Sequence, residues 1–275
     1  MTTTTKLCAF GATLAALFGG GALAGATIDP DRHDPPSRGE EHTEMTAESH
    51  TATTDTVRGL AVAEHGLRVV LDDPELRRGR DETLRFRIVD ARNEVVRDFD
   101  VEHTKRMHLI VARHDLTGFQ HLHPTQGADG TWSTPLRLDE AGSYRVFADF
   151  SHDGESTTLA SDLRVDGTAD LQPLPAPAPT AVSDLGYDVR LDRDADMLRF
   201  TITHDGQPVE TETYLGAGGH LVALREGDLA FLHVHPDDDG VSFMTEFPTP
   251  GRYRLFLQFQ AEGRVHTVAF TQEVK

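Results

Sequence analysis

Cysteine is all but missing from this chain. Its 275 residues include one, Cys8, inside an apolar N-terminal run. If that run is removed on export, no disulfide can form and a blue-copper centre, which needs a thiolate ligand, is excluded. Catalytic punctuation is missing too: there is no Gly-x-Ser-x-Gly, no phosphate-binding loop and no cysteine nucleophile. Hydrophobic residues make up 38% of the chain, and its one long apolar stretch, Leu7 to Leu23, is weakly hydrophobic and short for a membrane span. Positive charge is scarce as well. Lys and Arg number 26 against 45 Asp and Glu, a net charge of −19. Such a field repels nucleic acid and anionic lipid and tolerates cations.

The N-terminus reads as an export signal over residues 1–26. Lys6 is its charged start, and Ala22-Leu23-Ala24 and Ala24-Gly25-Ala26 fit a small-x-small cleavage site. Residues 27–58 are rich in Asp, Glu, Thr, Pro and His and have almost no large apolar side chain, so they are expected to be disordered. That tail holds His33, His42 and His50, too sparse a set to be more than a spacer or a loose metal-gathering arm.

From residue 59 the chain alternates short apolar–polar runs with Gly, Pro, Asn and Asp turns. Thr83-Leu84-Arg85-Phe86-Arg87-Ile88-Val89 has the period of two expected of a strand with one buried face, and Tyr144 to Phe150 is the clearest strand. Seven or eight such strands in about 100 residues, with no convincing helix, predict a β-sandwich of immunoglobulin-like size. The plan then repeats. Leu198-Arg199-Phe200 matches Leu84-Arg85-Phe86, and Gly251-Arg252-Tyr253-Arg254-Leu255-Phe256 matches Gly142-Ser143-Tyr144-Arg145-Val146-Phe147. Length differences fall in loops, as expected of two folded copies of one module. The expected architecture is all-β, with module one at 59–168, a Pro-rich semi-rigid linker at 169–183 and module two at 184–275.

Histidine supplies the chemistry. His108, His121 and His123 recur at one constant offset as His220, His233 and His235. In copy one, two strands joined by a short connection containing Gly118 predict an antiparallel hairpin. A turn near Asp115-Leu116 puts His108 opposite His123, with His121 two residues away on the same face. Cβ atoms at that spacing, about 5 Å directly and 7–8 Å diagonally, allow three imidazoles to share one metal. The same pairing sets His220 opposite His235, with His233 beside it. Imidazole ligands suit copper or zinc. Met107 and Met244 read as core rather than thioether ligands. His266 would be a fourth ligand in copy two alone, its counterpart being Thr157. His103 and His114 have no His counterpart, and His65, His152 and His204 read as surface residues. Ile110 and Phe119 fall on the His face, which supports a second reading in which the imidazoles are buried structural groups.

The segments Met107-His108-Leu109, Phe119-Gln120-His121-Leu122-His123-Pro124 and Tyr144 to Phe150, with Gly219-His220-Leu221 and His233-Val234-His235-Pro236 in copy two, resemble secreted or membrane-associated bacterial proteins whose modules are called YtkA-like or heavy-metal-binding. The resemblance implies an extracytoplasmic immunoglobulin-like or cupredoxin-like sandwich. The function expected is metal buffering or delivery, with a His triad in each module and a periplasmic or cell-surface partner. The competing expectations are a structural or interaction module without metal and a zinc hydrolase or hydratase, since His-x-His with a third His resembles the zinc arrangement of carbonic anhydrases.

Overall fold

A computed structural model describes residues 57–183, 185–232, 234–236 and 240–275; the side chains of residues 235 and 236 fall outside that description. The expected signal, most of the expected disordered tail, and His33, His42, His50 and His233 therefore lie outside it.

Every regular element among the described residues is a strand. The first half contains β1 (Ala63–Glu64), β2 (Leu67–Leu71), β3 (Glu75–Leu76), β4 (Asp81–Val89), β5 (His108–Arg113), β6 (Gln120–Leu122), β7 (Thr125–Gln126), β8 (Trp132–Arg137), β9 (Gly142–His152) and β10 (Glu155–Val165). The second contains β11 (Thr180–Val182), β12 (Asp188–Asp194), β13 (Met197–His204), β14 (Gln207–Pro208), β15 (His220–Arg225), β16 (Phe231–Leu232), β17 (His235–Pro236), β18 (Ser242–Met244), β19 (Gly251–Ala261) and β20 (Arg264–Val274). In the first half, a sheet of order β1-β2-β4-β8-β7 faces one of order β3-β10-β9-β5-β6. In the second, β11-β12-β13-β18-β17 faces β16-β15-β19-β20. The chain thus folds as two tandem β-sandwiches.

Alternation builds each interior. Leu84, Phe86 and Ile88 point inward from β4 and meet Leu109 and Val111 of β5 and Tyr144, Val146, Ala148 and Phe150 of β9. The second interior repeats this with Leu198, Phe200 and Ile202 against Leu221, Ala223, Leu255, Leu257 and Phe259. In both copies a buried tyrosine hydroxyl donates to the carbonyl four residues upstream: Tyr144 to Glu140 at 2.9 Å and Tyr253 to Thr249 at 2.8 Å. This corner is a recurrent device of immunoglobulin-like sandwiches.

β5 and β15 are buried on both faces, which alternation alone does not predict. All six residues of β5 are buried. Its outward residues Ile110 and Ala112 join Phe147, Ala160, Val222, Leu224, Leu229, Phe231 and Phe256 in a third apolar cluster. The outer face of one sandwich is therefore pressed against the outer face of the other, and each such side chain gains about 1.5–3 kcal/mol relative to exposure. The contacts are reciprocal. Phe119 stacks on Phe256 with centroids 4.1 Å apart and 7° between planes, while their repeat equivalents Phe231 and Phe147 pack at 5.5 Å. Contacts that map onto themselves when the copies are exchanged mark a local two-fold relation. The segment expected to be a semi-rigid linker lies along this unit: Arg113 donates to the Asp170 carbonyl, the Gln172 amide donates to Asp115, and Leu174 packs on the third cluster.

A candidate metal centre between the modules

The hairpin of β5 and β6 fixes the first triad. Leu109 pairs with Leu122, Ile110 with His121 and Val111 with Gln120, and extending that register by one residue sets His108 opposite His123. The turn closes through Leu116 and Gly118, both at positive φ, and the Arg113 amide donates to the Thr117 carbonyl at 2.8 Å. Past His123, Pro124 has no N–H to continue the ladder, and the chain crosses to the other sheet, where β7 pairs with β8. His121 and His123 thus sit where one strand leaves its sheet, beside the first residue of β5.

The three rings converge. Centroids lie 5.3 Å apart for His108 and His121, 5.1 Å for His108 and His123, and 4.8 Å for His121 and His123. One ring nitrogen from each lies within 4.8 Å of the others, so the triad could hold a metal ion. Burial lowers the pKa of all three. Removal from water, reinforced by the neighbouring imidazoles, pushes His121 down to about 3 and His123 to about 4. Desolvation also lowers His108, against the opposing pull of the Glu102 carbonyl. Neutral imidazole is the form that binds metal.

The ring nitrogens form a chain of close polar contacts. The Glu102 carbonyl lies 3.2 Å from His108 Nε2, His108 Nδ1 lies 3.0 Å from His121 Nε2, and His121 Nδ1 lies 2.7 Å from Gln258 Oε1. The Gln258 amide nitrogen donates to Thr267 Oγ1, which leaves its oxygen toward the histidine. Two neutral rings supply two protons for three links. With the Gln258 oxygen turned toward His121, both outer links end on oxygens that only accept, and both protons point outward. His108 Nδ1 and His121 Nε2 then face each other as two lone pairs at 3.0 Å, near the about 3.3 Å spanned by two nitrogens of a tetrahedral zinc site. His123 Nε2 is buried without a hydrogen-bond partner. Three imidazoles with nitrogens converging on one small volume could form a cation-binding donor set, and Gln258 and Glu102 are the outer partners that hold two of the rings.

Of the triad expected in copy two, only the surroundings of His220 are described. β15 and β16 pair Ala223 with Leu232 and Leu224 with Phe231, the register of copy one. The chain has changed sheets by His235, whose backbone pairs with Met244. His220, however, lies in the first cluster: its ring stacks on His108 at 5.6 Å and 6°, and lies 4.9 Å from His121. Desolvation there holds its pKa well below the usual value. The reason is the sheet-on-sheet packing, which lays the outward face of β15 over that of β5. The placement of His233 and of the His235 side chain lies outside the described residues. His266 belongs to the second core, where it packs on Tyr187 and Phe259. Met107 is buried in the first core, while Met244 is exposed. Of the three histidines read as surface residues, His65 is exposed, whereas His152 and His204 are half-buried.

His103 is the residue that sequence reasoning passed over. It sits at positive φ in the Glu102–Lys105 turn, 6.2 Å from His108 and 5.6 Å from His220 by ring centroid. Its counterpart Leu215 has the same backbone conformation within a matching Tyr214–Ala217 turn. The repeat that exposed the other histidines concealed this one.

The family model that matches is described as "Domain of unknown function (DUF8832)", and it matches twice, over residues 61–167 and 181–275. No curated protein matches the chain. Among solved structures, it is similar to a Salmonella alpha-2-macroglobulin reacted with methylamine (15% identity, TM-score 0.29, 78% of this chain and 15% of that one). It is also similar to the Escherichia coli adhesin FdeC (15%, 0.28, 76% and 65%) and to a two-domain fibronectin type III segment of chicken tenascin (10%, 0.24, 75% and 97%). The chain therefore spans less than two thirds of the macroglobulin and of the adhesin. At TM-scores this low the likeness bears on neither mechanism nor substrate.

Proposed function

The chain belongs to the DUF8832 family, carrying the unit twice, and we propose that it is an extracytoplasmic protein that binds copper or zinc for buffering or delivery. The observation that carries this reading is the convergence of His108, His121 and His123, one ring nitrogen of each lying within 4.8 Å of the others. His108, His121 and His123 are the ligands proposed in copy one; His220, His233 and His235 carry the same ligand chemistry in copy two. The export signal expected at 1–26 and the resemblance to heavy-metal-binding modules support the same reading. So does the net charge of −19, which favours cations. Delivery implies a periplasmic or cell-surface protein that receives the ion. A hydrolytic role is less well supported, because His108 is 4% exposed and packed between two sheets, leaving little room for substrate and attacking water.

The test is Zn(II) and Cu(II) affinity of the chain lacking residues 1–26, measured against a competing chelator. His121→Ala combined with His123→Ala is expected to weaken binding more than about 100-fold, since two nitrogens of the set are removed. Unchanged affinity overturns the reading.

One observation favours a metal-free interaction module. Turning the Gln258 carboxamide over would let its N–H donate to His121, His121 to His108, and His108 to Glu102, while Thr267 donates to the amide oxygen. All links are then satisfied by protons alone. In that case added Zn(II) produces no thermal shift, whereas a metal bound only by the folded state raises the apparent stability.

A further inference from the structure

We propose that the ion is held by both modules at once, with His220 completing the coordination of the His108–His121–His123 triad, so that the metal clasps the two sandwiches together. This rests on the metal reading above and extends it from one hairpin to the boundary between two repeats.

Three observations carry it. First, the triad rings have the spacing of imidazoles that share one ion, and His220 lies at similar distances from two of them. A metal–nitrogen bond of about 2.0–2.1 Å puts each ring centroid about 3.2 Å from the ion, and two centroids at a tetrahedral angle are then about 5.2 Å apart. The measured separations are 5.3, 5.1 and 4.8 Å within the triad, and 5.6 and 4.9 Å from His220 to His108 and His121. Second, module two already reaches into the site. Gln258, directly opposite His220 in the β15–β19 ladder, lies 2.7 Å from His121 Nδ1 through its Oε1. The residue that orients a triad ligand and the proposed fourth ligand are cross-strand neighbours on one face. Third, His108 and His220 are repeat equivalents whose ring planes lie 6° apart with centroids separated by 5.6 Å, so they flank the local two-fold relation of the modules. A group bound there is shared by construction. The surrounding apolar contacts, led by Phe119 on Phe256, hold that arrangement in place before any ion arrives.

His103, 5.6 Å from His220 and half-buried, stands at the edge of the shell. Its place suits an entry ligand that exchanges with water while the inner four remain bound.

The experiment uses the full chain without residues 1–26, loaded with Zn(II). X-ray absorption fine structure counts the imidazoles bound, and chelator competition gives the affinity. Four imidazoles are expected in the parent and three in His220→Ala, with affinity reduced at least tenfold. His220→Gln is the second variant, chosen to keep a polar side chain of similar reach if the alanine variant folds poorly; it too should lose one imidazole. Circular dichroism of the zinc-free proteins establishes that the fold is retained. If His220→Ala and His220→Gln keep both the imidazole count and the affinity while His121→Ala loses them, His220 only packs, and the shared site is overturned with the triad left standing. If His121→Ala also changes nothing, the metal reading itself fails.

Discussion

Among single residues, Arg113 shows how an ion pair can be buried without being an active site. It is 2% exposed and bidentate to Asp115 at 2.9 and 2.7 Å, and its remaining N–H groups donate to the Ala141 and Asp170 carbonyls. Asp115 is held down to about 2: burial opposes ionisation, and the Arg113 guanidinium, the Gln172 amide and the Thr117 hydroxyl outweigh it. The linkage follows from that sign. A carboxyl whose folded pKa is depressed contributes stability that is fully present above its unfolded pKa of about 3.9 and is lost as pH falls toward 2. Asp115→Asn leaves a buried guanidinium without its partner and is expected to cost about 3 kcal/mol in urea unfolding at pH 7. The gap between parent and variant should narrow between about pH 4 and pH 2, where the parent loses the same charge. A gap that stays constant across that window would show that the pair is not the source of the stability.

At the level of elements, the β5–β6 hairpin decides the site because one register step would turn His108 away from its partners. Gly118 holds its turn at φ +62, and a Cβ there would sit 3.0 Å from Tyr144 Cε1. Gly118→Ala is therefore expected to cost about 1–2 kcal/mol from the left-handed backbone alone. It should also weaken Zn(II) binding, since the turn sets His121 and His123 against His108. A loss of stability with unchanged affinity would separate the turn from the site. This hairpin was legible in the sequence: a period of two, a turn signal and spaced histidines specify which side chains share a face. So was the inward set Leu84, Phe86 and Ile88. What covers the outward face was not. Ile110 and Phe119 read equally as core or as His-face neighbours, because alternation reports which residues share a side and not what lies beyond it. The union of His220 with the first triad was hidden for the same reason. It depends on how two copies dock, a property of whole sheet surfaces. His103 was missed for a different reason, since a repeat-based search discards residues present once.

On the scale of the whole molecule, the two sandwiches are joined by a third core rather than merely tethered. Phe147 and Phe256, repeat equivalents, are 0% and 4% exposed and point out of their own sandwiches into the neighbour. Removing either ring leaves a cavity in that shared layer, at about 3–5 kcal/mol per buried Phe→Ala change. Neither removes an inward-facing residue from its own module's core. Calorimetry should thus show one cooperative transition for the parent, because neither module can unfold without exposing the layer that stabilises the other. Phe147→Ala with Phe256→Ala should divide it into two transitions, whereas a control in one interior, Leu109→Ala, should lower a single transition without dividing it. The aromatic change should also weaken Zn(II) binding despite touching no imidazole, since the ion needs ligands and orienting groups from both sides of the layer. Two transitions already present in the parent would mean that the modules fold independently, and the third cluster would then be a contact surface rather than a core.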